Sequence, residues 1–222
     1  MHKALENFYE EYKKNNVLPE KSFLTNEFQK AFERDLIYVS DKEKLLSNGI
    51  KGLEGYYDNV IMKRHDEILF TELNFDKRNV TFDDIKITGK IDAIIAGPEN
   101  TTQVIDYKTG RIKYRGEIEK FIPNASNELV PSHYYSQLMF YKILTDNDKS
   151  WKKPVSHGIL DFIEGKDGKY KQEQFEYKQE DLDVFKNVIK DTVKRIRNLE
   201  FQKIKKGKTC EGCDFRKICW GG

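Results

Sequence analysis

The chain has 222 residues, of which 39 are Lys or Arg and 37 are Asp or Glu, so its formal net charge is +2 at pH 7. The length excludes a helicase motor, and an aromatic content of 13% excludes a disordered chain, which lacks such side chains for burial. No apolar run reaches the roughly 18 residues of a membrane span, and the first residues lack the apolar core of a signal peptide. These features predict a cytoplasmic protein without a membrane partner.

The first part of the chain predicts helices. From His2 to Tyr12, apolar and aromatic side chains recur at spacings of three and four, which is the period of a helix. Similar stripes follow in two further segments. Gly49, Gly52 and Gly55 weaken the second of these, because each glycine costs a helix interior up to about 1 kcal/mol relative to alanine. The expected helices are residues 2–14, 22–37 and 41–64.

Beyond these helices the pattern predicts strands and then a return to helices. β-Branched and aromatic residues are enriched, and turn residues separate the enriched segments. The expected strands are residues 68–75, 85–96 and 102–108, largely antiparallel, and later 155–163 and 170–177. The expected helices are residues 132–145 and a long amphipathic helix from Leu182 to Leu199. A long functional loop is expected from Gly110 to Pro131.

The order of these elements predicts a single α/β domain over residues 1–222. Its helical N-terminal part is expected at residues 1–64, and its catalytic sheet and helix at residues 65–180. A long helix and a cysteine-bearing tail are expected at residues 181–222.

The segment with the clearest chemistry contains Asp106 and Lys108. Side chains two apart on a strand share a face, so these two point the same way. If a turn at residues 97–100 pairs the flanking strands, Asp92 lies within reach of Asp106. Two such carboxylates repel unless a divalent cation lies between them, and oxygen ligands suit Mg²⁺ or Mn²⁺. A metal with a nearby lysine fits phosphodiester hydrolysis.

An Asp-x-Lys run by itself is more often a solvent-facing salt bridge. Here it lies in VIDYKTG, which follows GKIDAI and precedes QLMFY. Together these segments resemble the RecB-like branch of the PD-(D/E)XK nuclease superfamily, which includes the nuclease domains of RecB and AddB helicase-nucleases and the CRISPR-associated exonucleases. The resemblance extends from His2 to Cys219. It implies a restriction-endonuclease-like core, with a mixed central β-sheet flanked by helices, a helical N-terminal region and a cysteine-bearing tail.

The resemblance also implies roles for the residues around the Asp-x-Lys run. His2, Asp92, Asp106 and the backbone carbonyl of Tyr107 would bind the metal, and Lys108 would be the catalytic lysine. For the histidine, the alternative is a packed residue on the apolar stripe of the first helix.

Three further catalytic residues follow from the same resemblance. Glu72 matches a recurrent acidic position on the preceding strand, for which Glu67 is a less favoured candidate. Gln137 and Tyr141 match the Q-x-x-x-Y motif of the family. Their spacing places both on one helix face, where they would contact DNA or support Lys108. The alternative is a helix that packs its Tyr and Leu side chains on the sheet, with the glutamine merely hydrogen-bonded.

All three cysteines, Cys210, Cys213 and Cys219, lie in one short run, which favours a metal or cluster site over disulfides. The spacing resembles the iron–sulfur segment of AddB-type and CRISPR-associated nucleases. That implies a [4Fe–4S] cluster, for which four thiolates are usual. The sequence is therefore expected to be a fragment of a longer protein, with the fourth cysteine outside it. The alternatives are a lost cluster, Zn²⁺ held by three Cys and a His, or three reduced thiols without metal.

Nucleic-acid contacts are expected where basic and aromatic residues alternate in the loop of residues 110–122. This composition suits backbone contact and base stacking, although a charged run is often only a solvated face. A second basic segment covers residues 194–208. The basic residues expected to bind DNA are Arg111, Lys113 and Arg115, and the aromatic residues between and beside them are Tyr107, Tyr114 and Phe121.

The resulting hypothesis is an Mg²⁺- or Mn²⁺-dependent deoxyribonuclease, more an exonuclease than an endonuclease. Its partners would be single-stranded DNA or duplex ends and a helicase motor, as in the C-terminal nuclease domain of a helicase-nuclease in DNA break repair. One alternative is a stand-alone exonuclease of the CRISPR-associated type. Another is a non-catalytic DNA-binding module, which the intact Asp92, Asp106 and Lys108 disfavour.

Overall fold

The computed structural model describes residues 1–34, 41–124, 128–166, 168–200 and 207–221. The predicted mixed α/β architecture is confirmed. The helices are α1 (His2–Asn15), α2 (Lys21–Arg34), α3 (Lys42–Asn59), α4 (Arg115–Ile118), α5 (His133–Asp146), α6 (Gln179–Arg197) and α7 (Arg216–Trp220). The strands are β1 (Ile68–Asn74), β2 (Thr81–Phe82), β3 (Ile85–Lys86), β4 (Lys90–Ala96), β5 (Thr102–Lys108), β6 (Phe121–Pro123), β7 (Leu129–Pro131), β8 (Val155–Lys166) and β9 (Lys169–Glu176).

The central sheet has five strands in the order β1-β4-β5-β8-β9. Strands β1, β4 and β5 are antiparallel neighbours, as predicted, because the short turn at residues 97–101 returns the chain directly from β4 to β5. Strand β8 is parallel to β5 and antiparallel to β9. The parallel pair needs a long crossover, which the segment with α4 and α5 provides.

Two hydrophobic cores cover the two faces of this sheet. One contains Val104, Leu138 and Phe162 and lies under α5 and α6, whereas the other contains Tyr107 and Ile105 and lies under α1 to α3. Successive side chains of a strand point to opposite faces. The alternation along β5 therefore sends Asp106 and Lys108 towards α5, and the ring of Tyr107 towards α1.

Helix α3 continues through its glycines, which were expected to weaken it. A Cβ at Gly49 would overlap the ring of Phe28 in α2, so glycine allows these two helices to approach closely. The carbonyl of Gly52 accepts a hydrogen bond of 3.0 Å from the Tyr170 hydroxyl of β9. Tertiary packing therefore outweighs the low helix propensity of glycine.

Two predicted elements differ from the structure. The strand expected at residues 85–96 is divided between the small β2–β3 sheet and the central sheet, because the chain leaves one sheet and joins the other around Gly89. The loop expected from Gly110 to Pro131 contains α4, β6 and β7. Of the helix predicted at residues 22–37, the last three residues lie outside the described ranges.

Within the described ranges, no helix is both long and apolar enough to cross a membrane.

Candidate active site

The residues predicted to bind metal lie where β4 begins and β5 ends, beside the start of α1. The last ladder pair between the two strands is Ala93–Ile105, so the N–H of Tyr107 is free to donate a 2.8 Å hydrogen bond to Asp92 Oδ2. His2 Nε2 lies 2.9 Å from the Tyr107 carbonyl oxygen and 3.4 Å from Asp92 Oδ2. The end of the ladder thus brings an imidazole, a carboxylate and a carbonyl together.

The electrostatics of His2 depend mainly on Asp92. The hydrogen bond to that carboxylate raises the pKa of His2, although partial burial opposes the shift. His2 therefore stays protonated to a higher pH than an ordinary histidine does. A cation at this nitrogen competes with a proton, since a metal-ligating histidine is neutral.

Asp106 is a buried carboxylate with only 1% of its surface exposed. Burial raises its pKa and the charge of Asp92 adds to the shift, whereas the ammonium of Lys108 opposes it. The oxygen Oδ2 forms an ion pair with Lys108, but it has no partner in hydrogen-bonding geometry. A metal ion at this oxygen would therefore have to share it with the Lys108 ammonium or displace that ammonium.

Four side chains, including Asp106 itself, form a closed ring that the ion pair between Asp106 and Lys108 completes. Lys108 Nζ donates to Gln137 Oε1 at 2.6 Å, and Gln137 Nε2 donates to the Tyr141 hydroxyl oxygen at 2.9 Å. The Tyr141 hydroxyl then donates to Asp106 Oδ1 at 2.9 Å. Burial raises the pKa of Tyr141 well above its usual value, so it remains a donor. The ring holds the carboxylate and the ammonium side by side.

Glu72 lies on β1, between the pairs that Thr71 and Leu73 form with β4, and therefore beside Asp92. Its φ of 48° is left-handed, a conformation that costs a non-glycine residue about 1–2 kcal/mol. Its buried Oε2 forms an ion pair with Lys90, whose pKa this contact raises. The competing candidate Glu67 is exposed and precedes β1.

Tyr134 is a residue of this site that sequence reasoning missed. The ammonium of Lys108 lies 4.5 Å from its ring centroid, and that of Lys113 lies 4.1 Å from the same centroid. Tyr134 precedes Gln137 by three positions, so its helical spacing from the motif was the available signal. Lys90 was missed as well, because its contact with Glu72 depends on strand register.

The predicted DNA-contacting arginines already have acidic partners. Arg111 pairs with Glu117 at 2.6 Å, and both side chains are at the surface. Arg115 pairs with Glu119 at 2.9 Å and Glu173 at 3.2 Å, and its guanidinium lies over the ring of Phe175. Arg115 therefore joins α4 to β9 in addition to any role in binding.

The prediction that Tyr107 stacks on a base is wrong. Its ring is 4% exposed and lies in the core beneath α1, because it points away from the face of Asp106. Phe121 is only partly buried and packs against the other core. Of the second basic segment, residues 201–206 lie outside the described ranges.

The cysteines lie on a turn and on α7. Cys210 is buried, Cys213 is exposed and Cys219 is intermediate. In the part of the chain that the structure describes, no group of three or more His, Cys, Asp or Glu residues is spaced to hold a metal ion. Among the described residues the three thiols are therefore not gathered into one site, and a [4Fe–4S] cluster usually takes four thiolates.

The donors around Asp106 fit a hard divalent cation in their chemistry. Carboxylate, carbonyl and imidazole groups lie close together there, and the carboxylate of Asp106 is buried. They are not spaced as a finished site, because the Lys108 ammonium and the Tyr107 N–H occupy the carboxylate oxygens. Binding a cation requires these contacts to be exchanged, and His2, Asp92, Asp106 and Tyr107 are the residues able to hold it.

Three comparisons with known proteins complete the description. The chain matches the family model of the PD-(D/E)XK nuclease superfamily over residues 1–220. A solved structure described as "Crystal structure of SSO0001" aligns with 98% of this chain and 95% of its own, at 19% identity and a TM-score of 0.42. No curated protein matches the chain significantly.

Proposed function

The chain belongs to the PD-(D/E)XK nuclease superfamily, and from this premise we propose that it hydrolyses DNA phosphodiester bonds with Mg²⁺ or Mn²⁺. The five-stranded mixed sheet flanked by helices is consistent with the restriction-endonuclease-like fold. The observation that carries the proposal is the closed ring of hydrogen bonds that holds the buried carboxylate of Asp106 in an ion pair with Lys108.

In the proposed reaction, His2, Asp92, Asp106 and the Tyr107 carbonyl would hold the metal. When bound, such an ion polarises a phosphoryl oxygen and lowers the pKa of water. Lys108 places a positive charge where negative charge grows on the phosphoryl group. This combination of charges suits attack by water on a phosphodiester.

The remaining residues of the site support this arrangement. Gln137 and Tyr141 keep the ammonium of Lys108 and the carboxylate of Asp106 at fixed positions through their hydrogen bonds. Glu72 neutralises Lys90 at the edge of the site and would contact the metal ligands rather than the metal. Arg111, Lys113 and Arg115 would contact the DNA backbone from the loop that follows β5.

We further propose that the chain is of the RecB-like branch and acts as an exonuclease in DNA break repair, next to a helicase motor in the same polypeptide or complex. A stand-alone exonuclease of the CRISPR-associated type is the alternative. The motif set GKIDAI, VIDYKTG and QLMFY supports both. The non-catalytic alternative is disfavoured by the intact trio Asp92, Asp106 and Lys108. A cytoplasmic location and a division at residues 64 and 180 stay predictions.

The iron–sulfur cluster also stays a prediction of the resemblance. Its candidate ligands are Cys210, Cys213 and Cys219. Assays of iron and acid-labile sulfide in anaerobically purified protein measure the cluster content directly. A cluster-free protein with full nuclease activity would show that the cysteine segment serves another purpose.

Divalent metal is expected both to activate the protein and to stabilise it. Saturating Mn²⁺ or Mg²⁺ should permit cleavage of linear end-labelled DNA, and chelation should stop it. A ligand at 100 times its Kd stabilises the folded state by about 2.7 kcal/mol, so the thermal unfolding temperature should rise when metal is added.

Linear and circular single strands of equal length distinguish exonuclease from endonuclease action, since an exonuclease leaves the circle intact. Metal-independent cleavage, or none with either metal, would contradict the proposal.

Tyr141→Phe is expected to slow cleavage about 10- to 100-fold, because a hydrogen bond to a charged group contributes about 1.5–3 kcal/mol. The single-turnover rate on saturating DNA measures the effect. Tyr177→Phe provides a matched control, since the Tyr177 hydroxyl is also buried but has no hydrogen-bond partner among the described residues. Equal rates for the two variants would show that the hydrogen bond to Asp106 has no role in the reaction.

A further inference from the structure

A tyrosine and a second lysine connect the catalytic lysine, Lys108, to the neighbouring surface. Lys108 and Lys113 both place an ammonium over the ring of Tyr134, at 4.5 Å and 4.1 Å from its centroid. A cation over an aromatic face is attracted by the negative potential of that face. The shared ring therefore keeps a second positive charge close to the one expected to meet the scissile phosphate.

Next to Lys113, Tyr114 presents an aromatic ring to solvent. This residue is 68% exposed. The Tyr114 N–H donates to Glu117 Oε2 at 3.0 Å, and its carbonyl accepts from the Glu117 N–H at 2.8 Å. These contacts involve only the backbone of Tyr114. The backbone of Tyr114 is thus anchored at the start of α4, while its ring lies at the surface.

A third lysine joins this surface from the edge strand β9. Lys171 Nζ lies 4.7 Å from the Tyr114 ring centroid and 3.5 Å from the carbonyl oxygen of Lys113. Tyr114 also lines an open cavity of about 570 Å³, together with Arg111 and Lys169. One ammonium group therefore lies over the exposed ring, and further basic residues line the cavity beside it.

The acidic side chains of this surface are mostly paired. Glu117 pairs with Arg111 at 2.6 Å, and Glu173 pairs with Lys171 at 2.6 Å and with Arg115 at 3.2 Å. Glu164 lines the cavity and is exposed. Lys113 and Lys169 add positive charge to the paired acidic and basic groups of this surface. Together with the exposed ring of Tyr114, this charge suits an anion that also carries an aromatic group.

We propose that Tyr114, Lys113 and Lys171 form a nucleotide-binding subsite, in which one unpaired base stacks on Tyr114 and the adjoining phosphates contact the two ammonium groups. Stacking on aromatic side chains between basic groups is the general mode of single-strand binding. A base inside a duplex has both faces covered by its neighbours and cannot use this ring. The inference rests on the proposed nuclease function and assigns it single-stranded DNA near the reaction centre.

Binding of a fluorescein-labelled oligothymidylate, measured by anisotropy in EDTA to prevent cleavage, tests the subsite. Tyr114→Leu removes the aromatic face and should weaken binding roughly tenfold or more. Tyr114→Phe keeps the face and should stay within about twofold of wild type. Val17→Ala is the matched control, because Val17 has the same 68% exposure and lies between α1 and α2. A blunt-ended duplex should bind wild type and Tyr114→Leu equally.

Two results would overturn the subsite. In one, Tyr114→Leu binds the oligothymidylate as tightly as Val17→Ala. In the other, it loses affinity for the blunt duplex to the same extent. A cleavage assay distinguishes failure of the subsite from failure of the proposed nuclease function. If the wild type cleaves DNA while Tyr114→Leu binds normally, the nuclease proposal stands and the subsite proposal is wrong. If the wild type cleaves no DNA while Tyr114→Leu loses binding, the subsite proposal stands and the nuclease proposal is wrong.

Discussion

Asp106→Asn is expected to abolish DNA cleavage, lowering the single-turnover rate by about 10³-fold or more. Asparagine keeps the shape of the side chain and an oxygen that can accept from Tyr141, but it removes the negative charge. That charge is buried, and its Oδ2 forms the ion pair with Lys108. The upward shift of thermal unfolding by Mn²⁺ should disappear with it.

Lys108→Met distinguishes metal binding from charge stabilisation at the phosphoryl group, the two roles proposed for residues of this site. It should reduce cleavage to a similar extent, because the positive charge near the phosphoryl group is lost. It should retain stabilisation by Mn²⁺, since lysine is not a metal ligand. Asp58→Asn, at a surface carboxylate with 52% side-chain exposure, is the control for general effects of a lost charge. If Asp106→Asn kept more than a tenth of the wild-type cleavage rate, this carboxylate would have no essential role in the reaction.

The largest effect on stability is expected on the other face of the sheet, at Asp161. This carboxylate has 0% exposure, and its Oδ2 accepts from Tyr56 at 2.5 Å, Gln172 at 2.6 Å and Arg64 at 2.8 Å. Asp161→Ala leaves the guanidinium of Arg64, whose side chain is 6% exposed, without its buried partner. Loss of one partner of a buried pair costs about 3–5 kcal/mol.

In a chain of this size, that loss corresponds to a decrease in Tm of roughly 6–20 °C, measurable by calorimetry. The matched control is Asp58→Ala, which breaks the exposed 2.6 Å pair with Lys21 and should cost at most about 1 kcal/mol. The double variant Arg64→Met with Asp161→Leu should recover part of the loss, because it leaves no unpaired buried charge, although Tyr56 and Gln172 still lose their acceptor. A double variant less stable than Asp161→Ala would contradict this account.

Local periodicity was enough to predict much of the site. The period of two along β5 placed Asp106 and Lys108 on one face, and the spacing of four placed Gln137 and Tyr141 on one face of α5. The structure has both arrangements, and it joins them through the hydrogen bond from Lys108 to Gln137. The same period shows why Tyr107 could not stack on a base, since it alternates with Asp106.

Contacts between distant segments were not predictable in this way. Arg64 and Asp161 are 97 positions apart, and neither lies in a motif that suggests the other. Arg115 was expected to bind DNA from its composition, but it reaches Glu173 on β9 only because α4 packs against that strand. The glycines of α3 similarly acquire their meaning from Phe28 and Tyr170.

The sequence by itself determined the class of fold, the residue types of the candidate site and the face of each strand or helix on which they lie. These properties follow from backbone geometry, which repeats over a few residues. Only the tertiary structure decided which groups are buried, which charges are paired and which ring, that of Tyr114, remains open to solvent. Desolvation and Coulomb energies depend on the surroundings of each group, and distant parts of the chain supply those surroundings.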